Sequence, residues 1–116
     1  MRKNSLPALA LLALAGCMGR GNLVQVKNGS DEICGSITVS VCDSSWTIEN
    51  LAPGETEEFT VVYTSDDHFQ VIVENENGLT MEGNFGYVTH GINDETIEII
   101  FFGDSLQFTQ LRNNTY

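Results

Sequence analysis

Basic side chains are scarce in this chain, which has five Lys and Arg against 16 Asp and Glu and a formal net charge of −11. The residues after Gly16 keep only three bases, Arg20, Lys27 and Arg112, together with all 16 acids, so that part carries −13. Because a nucleic-acid surface needs bases to neutralise phosphates, nucleic-acid binding is excluded, and adhesion to anionic lipid is not expected. The acidity fits plain solubility or the attraction of a cationic partner or ion.

Long apolar runs, helical periodicity and internal repeats are missing from residues 17–116. The one apolar run covers residues 6–15, is interrupted by Pro7 and follows two basic residues. It is too short to span a bilayer, which needs about 20 residues, but it has the length and charged flank of a secretion signal. A buried helix is the alternative, which Pro7 and the lack of an amphipathic stripe disfavour. We therefore expect residues 1–16 to be a signal peptide.

The end of this run resembles the lipobox of bacterial lipoproteins, with its four positions matched by Leu14, Ala15, Gly16 and Cys17. The resemblance implies cleavage between Gly16 and Cys17 and attachment of diacylglycerol and an N-acyl chain to Cys17. One acyl chain anchors a protein only marginally, but two or three hold it stably at a membrane. In lipoproteins of diderm bacteria, an Asp directly after the lipidated Cys favours retention in the inner membrane. This position is Met18 here, so we expect the protein to be anchored in the periplasmic leaflet of the outer membrane. In an organism with one membrane, the domain would lie outside the cell.

A regular series of strand signals follows the tether, which covers residues 17–22. Turn sequences such as "NGSDE", "APGE" and "NENG" separate the strands. The clearest strand is 33–41, where Ile33, Ile37, Val39 and Val41 alternate with Cys34 and hydroxyl side chains. The other strands are predicted over residues 23–27, 46–51, 57–64, 69–74, 79–88 and 96–102.

Alternation within these strands predicts which side chains face the core. The expected inward set contains Phe59, Val61, Tyr63, Phe69, Val71 and Val73. In the next strand, one face is predicted to contain Leu79, Met81, Phe85 and Tyr87. Gly83 and Gly86 indicate a bulge or a close approach within their strand. Residues 96–102 are apolar on both faces, which places that strand centrally in a sheet. Residues 104–116 are expected to add an edge strand or a tail.

Seven strands at about ten-residue spacing predict an all-β fold, an immunoglobulin-like antiparallel β-sandwich over residues 23–103. A small β-barrel is the alternative. The Cys–Trp–Cys spacing of true immunoglobulin domains is absent. The stretch from Val26 to about Ile99 resembles small uncharacterised exported bacterial domains, in which "N-G-S-x-x-I" opens one strand and "L-A-P-G-E-T" precedes another. These motifs are turn chemistry, so the resemblance implies a fold and no function.

Two cysteines besides Cys17 are present, and for them the sequence leaves two interpretations open. An even pair in an exported protein favours a disulfide between Cys34 and Cys42. A straight strand between them would separate them by roughly 26 Å, at about 3.3 Å per residue, whereas a disulfide needs Cα atoms within about 7 Å. Without the bridge they would be two small side chains, or thiols for an intermolecular bridge or a redox role. The chain has no CxxC motif, and we do not expect this pair to bind metal.

Catalytic and metal-binding patterns are weak in this sequence. His68 and His90 fall in predicted loops, and neither a nucleophile elbow nor a phosphate-binding loop occurs. Asp66, Asp67 and His68 could surround a divalent cation, as could Asn93, Asp94 and Glu95, but neither set matches a calcium loop, and acidic turns are common on surfaces. We therefore expect no enzyme, no metal and no cofactor beyond the lipid on Cys17.

The expected function is a lipid-anchored, non-enzymatic module that binds an envelope component or has a structural role. Such domains recruit partners through sheet edges or loop clusters, and here the candidates are the loop of Asp66, Asp67 and His68 and the aromatic strand at Phe85 and Tyr87. One alternative is an acidic inhibitor of a cationic enzyme such as lysozyme, although the S-G-x-x-Y motif of such lipoproteins is missing. The other is a divalent-cation-binding module. The sequence carries no signal of an oligomeric state.

Overall fold

The computed structural model describes residues 21–78 and 80–113. The predicted signal peptide, the lipobox with Cys17, and Leu79 lie outside the described residues. Eight strands are described: β1 Asn22–Asn28, β2 Cys34–Val41, β3 Ser44–Leu51, β4 Thr56–Val61, β5 Asp67–Glu74, β6 Thr80–Val88, β7 Glu95–Phe101 and β8 Leu106–Arg112. Within these residues there is no helix of the length and apolar character that a membrane span requires.

The strands form two sheets, which we call sheet I and sheet II. Sheet I has the order β4-β1-β7-β8 and sheet II the order β3-β2-β5-β6. Two separate sheets make a β-sandwich, so the predicted all-β sandwich is confirmed and the barrel alternative is not adopted. The strand β7 lies centrally in sheet I, as its apolar sequence predicts. The strand β8 forms an edge of the same sheet, so the sandwich runs from Asn22 to Arg112 and extends beyond residue 103.

One pair of neighbouring strands departs from the predicted antiparallel arrangement. The strands β1 and β7 are parallel, with Val24 opposite Ile97 and Val26 opposite Ile99, whereas the other five pairings are antiparallel. The reason is the alternation of chain direction, because each short connection reverses the chain. Two odd-numbered strands therefore run the same way when they become neighbours.

The core lies between the sheets and is filled by alternate side chains of the central strands. Its most buried members include Val24, Val26, Ile37, Val39, Phe69, Val71, Val73, Ile97 and Ile99, each at most 1% exposed. Each contributes about 1.5–3 kcal/mol relative to an exposed side chain. Stacked aromatic pairs close the two sides of the sandwich. Trp46 stacks on Phe59 with 4.4 Å between ring centroids, and Phe85 stacks on Phe108 at 5.2 Å.

At the start of β2, two residues face the opposite way from the prediction. Ile33 was expected in the core and Cys34 outside, but Ile33 is 43% exposed and Cys34 is fully buried. The alternation is interrupted between Cys34 and Ile37, which are both fully buried, and Asn50 of the neighbouring strand β3 has φ 54°. An added Cβ at Gly35 would lie 2.6 Å from the carbonyl oxygen of Glu74. A shift of the alternation by one residue moves a side chain to the other face.

The thiols of Cys34 and Cys42 are both free and buried. Cys34 is the first residue of β2, and Cys42 directly follows its last residue. The intervening strand is extended, so the distance argument applies and the disulfide is not formed. Burial raises the pKa of the Cys34 thiol above its ordinary value, with a hydrogen bond to the Ser36 carbonyl oxygen as a smaller opposing effect.

A bulge in β6 corrects the prediction for Tyr87. Gly86 has φ 69°, and together Gly86 and Tyr87 stand opposite the single residue His68 of β5. A glycine in this conformation is typical of a bulge that adds one residue to a strand. The extra residue turns Tyr87 outward, where it is 62% exposed, and turns Val88 into the core. The bulge expected from the glycines is therefore confirmed, and the prediction that Tyr87 shares a face with Met81 and Phe85 is wrong.

Candidate functional site

The loops cluster at the two ends of the sandwich. The proximal end is the one at which β1 begins, and it contains Gly21 and residues 42–43, 62–66 and 89–94. The distal end contains residues 29–33, 52–55, 75–78 and 102–105. The candidate residues Asp66, Asp67 and His68 lie at the proximal end, near the turn after β2 and the bulge of β6. The candidate site therefore lies at this end of the sandwich.

The turn between β2 and β3 is a two-residue hairpin loop whose backbone conformation is unfavourable for the residues it contains. Cys42 and Asp43 have φ 51° and 65°, and positive φ at both positions defines a type I′ turn, where Asn and Gly are usual. The side chain of Asp67 compensates, because its Oδ2 accepts a hydrogen bond from the Cys42 amide at 2.8 Å. The Cys42 thiol also donates to the Ser65 carbonyl oxygen at 3.3 Å.

Asp66 holds the neighbouring loop in place in a similar way. Its Oδ1 accepts a hydrogen bond from the His90 amide at 2.9 Å, and its Oδ2 accepts one from the Tyr87 hydroxyl at 3.1 Å. The His90 amide is the main reason that the pKa of Asp66 lies below its usual value. The Cys42 amide is likewise the main reason that the pKa of Asp67 is lowered. Both carboxylates are thus ionised acceptors that tie separate segments together.

The three residues of the predicted cation loop do not converge. The Asp66 carboxylate points to the end of β6, and the Asp67 carboxylate points to the turn after β2. His68 is the second residue of β5, so its predicted loop position is wrong, whereas His90 lies in a turn as expected. The Nδ1 atom of His68 lies 3.6 Å from Oδ1 of Asp67. Among residues 21–78 and 80–113, no three His, Cys, Asp or Glu are grouped around a common metal position.

The second predicted cluster, residues 93–95, also divides between separate contacts. The Asp94 carboxylate pairs with the Arg112 guanidinium at 2.9 Å. Glu95 is buried, and its Oε1 accepts hydrogen bonds from the Tyr63 hydroxyl at 2.9 Å and from Nε2 of Gln110 at 3.0 Å. Burial, followed by the hydrogen bond to Glu95, raises the pKa of Tyr63 far above its ordinary value.

The polar cluster around Glu95 extends to the start of β1. The buried side chain of Asn22 donates to the Val61 and Ile92 carbonyl oxygens and accepts from the Glu95 amide at 3.0 Å. This network fixes the point at which the chain enters the sandwich. Sequence reasoning missed it because Asn22 was assigned to the tether and Glu95 to a cation loop. The inward parity of Tyr63 was the one available signal.

A shallow polar groove adjoins this end on the outer face of sheet II. It has a volume of about 370 Å³, and its lining includes Ser40, Ser45, His68, Gln70 and Asn84. The Ser40 and Ser45 hydroxyls lie 2.9 Å apart and bond to each other. Hydroxyl, amide and imidazole groups can form hydrogen bonds to a polar ligand or partner. The arrangement therefore suits reversible binding.

The fold and the loop contacts define a β-sandwich domain whose proximal loops are held by side-chain hydrogen bonds. No protein-family model matches the sequence, and no curated protein matches it. Among solved structures, the chain is similar to the NMR structure of a protein from Eubacterium rectale, with a TM-score of 0.57 and 14% identity over 81% of this chain and 91% of that one. At this identity the likeness shows the fold alone.

Proposed function

We propose that the protein is a lipid-anchored lipoprotein of the cell envelope whose β-sandwich is a non-enzymatic binding or structural module. The observation that carries the proposal is the lipobox from Leu14 to Cys17 behind a basic start and a ten-residue apolar run. The outer membrane's periplasmic leaflet is the proposed location, because Met18 follows Cys17. The partner is another component of the envelope, held by a surface of the sandwich.

The contacts of the proximal end support a binding or structural role over catalysis. The carboxylates of Asp66 and Asp67 accept hydrogen bonds from backbone amides of other segments, and Glu95 is engaged by Tyr63 and Gln110. Groups that hold turns in this way are poorly placed to exchange protons with a substrate. A domain whose loops are fixed in this way is preorganised, which suits a binding or structural module.

Metabolic labelling with a radioactive fatty acid tests the anchor directly. The full chain expressed in a diderm host should incorporate the label and sediment with the membranes. The Cys17→Ser variant should lose both properties, because its side chain cannot form the thioether. The matched control is Cys34→Ser, which should keep the label. Labelling that persists in Cys17→Ser, or is missing from the unaltered chain, would contradict the proposal.

Inhibition of a cationic enzyme is the second candidate, and the formal charge of −13 on the residues after Gly16 favours it. An acidic surface steers a basic partner and raises the association rate at low salt. Residues 17–116 should then slow the hydrolysis of cell walls by lysozyme, and added salt should weaken the effect. Unchanged hydrolysis at an excess of the domain would remove lysozyme as a target and leave the envelope-binding proposal in place.

A further inference from the structure

The length of the tether restricts how the sandwich can stand on a membrane. Cys17 precedes Gly21 by four residues, which span at most about 14 Å when fully extended. The chain enters the sandwich at the proximal end, and β1 then runs seven residues away, or about 23 Å, toward the distal end. With lipid on Cys17, the proximal end therefore stays close to the headgroups and the distal end stays well above them.

The exposed apolar side chains are distributed unevenly between the two ends of the sandwich, and the proximal end has the more exposed ones. Among residues 21–78 and 80–113, the three most exposed large ones are Val62, Tyr87 and Leu111, at 61%, 62% and 59%, and all three lie at the proximal end. Ile33 and Phe102 at the distal end are less exposed, at 43% and 44%. An aliphatic or tyrosine side chain that is exposed to this degree suits the boundary between lipid headgroups and acyl chains.

These side chains surround the point at which the tether leaves the domain. A Cβ on Gly21 would lie 3.6 Å from Cγ2 of Val62, so Val62 borders the exit of the chain. Leu111 lies opposite Thr96 on the outer face of sheet I, and Thr96 in turn lies opposite Leu23 near the start of β1. Tyr87 adjoins the same corner, because its carbonyl oxygen accepts a hydrogen bond from the Gln110 side chain at 3.0 Å.

We infer that the proximal end is a membrane-contact surface, on which Val62, Tyr87 and Leu111 rest in the interfacial region of a zwitterionic phospholipid layer. The inference rests on the proposed lipid anchor. Anionic lipid is disfavoured because the ionised Asp66 and Asp67 lie at the same end. The loop of Asp66, Asp67 and His68 then faces the lipid, so a soluble partner would use the distal loops or the sheet faces.

Tryptophan fluorescence in vesicles with brominated acyl chains tests this orientation. A Trp46→Phe background removes the single tryptophan and keeps an aromatic ring beside Phe59. Val62→Trp and Leu111→Trp then report the proximal end, and Phe102→Trp is the matched control at the distal end. The full lipidated chains are purified from host membranes and reconstituted in zwitterionic vesicles, and flotation measures anchoring in the same samples.

The expected result is strong quenching for Val62→Trp and Leu111→Trp and none for Phe102→Trp, in chains that all float. Equal quenching at the two ends, or none at the proximal end of a floating chain, would overturn the inference while the anchor stands. A blue shift without quenching would show that a second copy or another protein covers these side chains instead of lipid. Chains that do not float would overturn the anchor, and the orientation with it.

Discussion

Asp66 and Asp67 are adjacent in the sequence, yet their carboxylates serve different segments of the molecule. One receives the His90 amide and the Tyr87 hydroxyl, and the other receives the Cys42 amide. Local sequence could identify an acidic turn but not these partners, which lie 21 to 25 residues away. Their positions depend on strand register and on a bulge, so a single sequence could not assign the roles.

These contacts give the free energy of unfolding a predictable dependence on acid. Both carboxyl groups have a folded pKa below the usual value of about 3.8. A lowered folded pKa adds stability above the unfolded pKa, and that stability is lost as the pH falls through the folded pKa. The stability should therefore decline below about pH 4.

Urea unfolding at several pH values measures this decline. The Asp66→Asn, Asp67→Asn double variant should be less stable at pH 7 and should show a flatter decline, and an identical slope would contradict the argument.

The buried hydroxyl of Tyr63 makes a second prediction at the scale of single residues. Tyr63→Phe removes one of the hydrogen bonds to the buried Glu95 carboxylate. Loss of a buried hydrogen bond to a charged group should lower the free energy of unfolding by about 1.5–3 kcal/mol. Urea titration measures it, with Tyr87→Phe as the control, because that hydroxyl is exposed and its loss should have a smaller effect. Equal losses in the two variants would be evidence against the network.

At the scale of elements, strict alternation predicted strands well and failed where a strand is irregular. The inward positions of Phe69, Val71 and Val73 are confirmed, because β5 keeps a regular alternation beyond its first residues. The predicted faces of Ile33 and Tyr87 are wrong because Ile33 precedes the interrupted alternation at the start of β2 and Tyr87 belongs to the bulge of β6. A glycine in a strand signals such an irregularity, but the sequence does not reveal which neighbours change face.

The glycines of β6 illustrate that ambiguity. Both predicted interpretations hold, each at a different position. Gly86 forms the bulge with φ 69°, and Gly83 provides the close approach, since an added Cβ there would lie 2.5 Å from the Phe85 ring. The ring of Phe85 therefore covers the backbone of Gly83 on an edge strand.

Gly86→Ala should be more destabilising than the matched variant Gly78→Ala. Both positions have positive φ, at 69° and 85°, which strains a residue with a Cβ. Only at Gly86 would the Cβ also meet other atoms, Oε1 of Gln110 at 2.7 Å and the Phe108 ring at 2.8 Å, whereas Gly78 has open space. Backbone strain should cost about 1–3 kcal/mol in each variant, and the clash should add to it at Gly86. Thermal unfolding of the two variants compares them, and equal midpoints would contradict the clash.

At the scale of the whole molecule, the protein is an acidic β-sandwich with two distinct ends. The chain enters at the proximal end through the network of Asn22, Tyr63 and Glu95. All 16 acids lie within the described residues, accompanied by the bases Lys27 and Arg112. Composition and alternation predicted the all-β class. The proposed function rests on the four residues from Leu14 to Cys17 that resemble a lipobox, a local sequence pattern outside the described residues.

The proposed lipid anchor can be read from the intact mass and the N-terminal peptide mass of the protein purified from detergent extracts of the envelope. We expect residues 1–16 to be absent and Cys17 to be the first residue. We also expect Cys17 to carry the mass of a diacylglycerol with or without an additional N-acyl chain. A mature chain that retains residues 1–16, or one that begins at Cys17 without lipid, would contradict the proposed anchor.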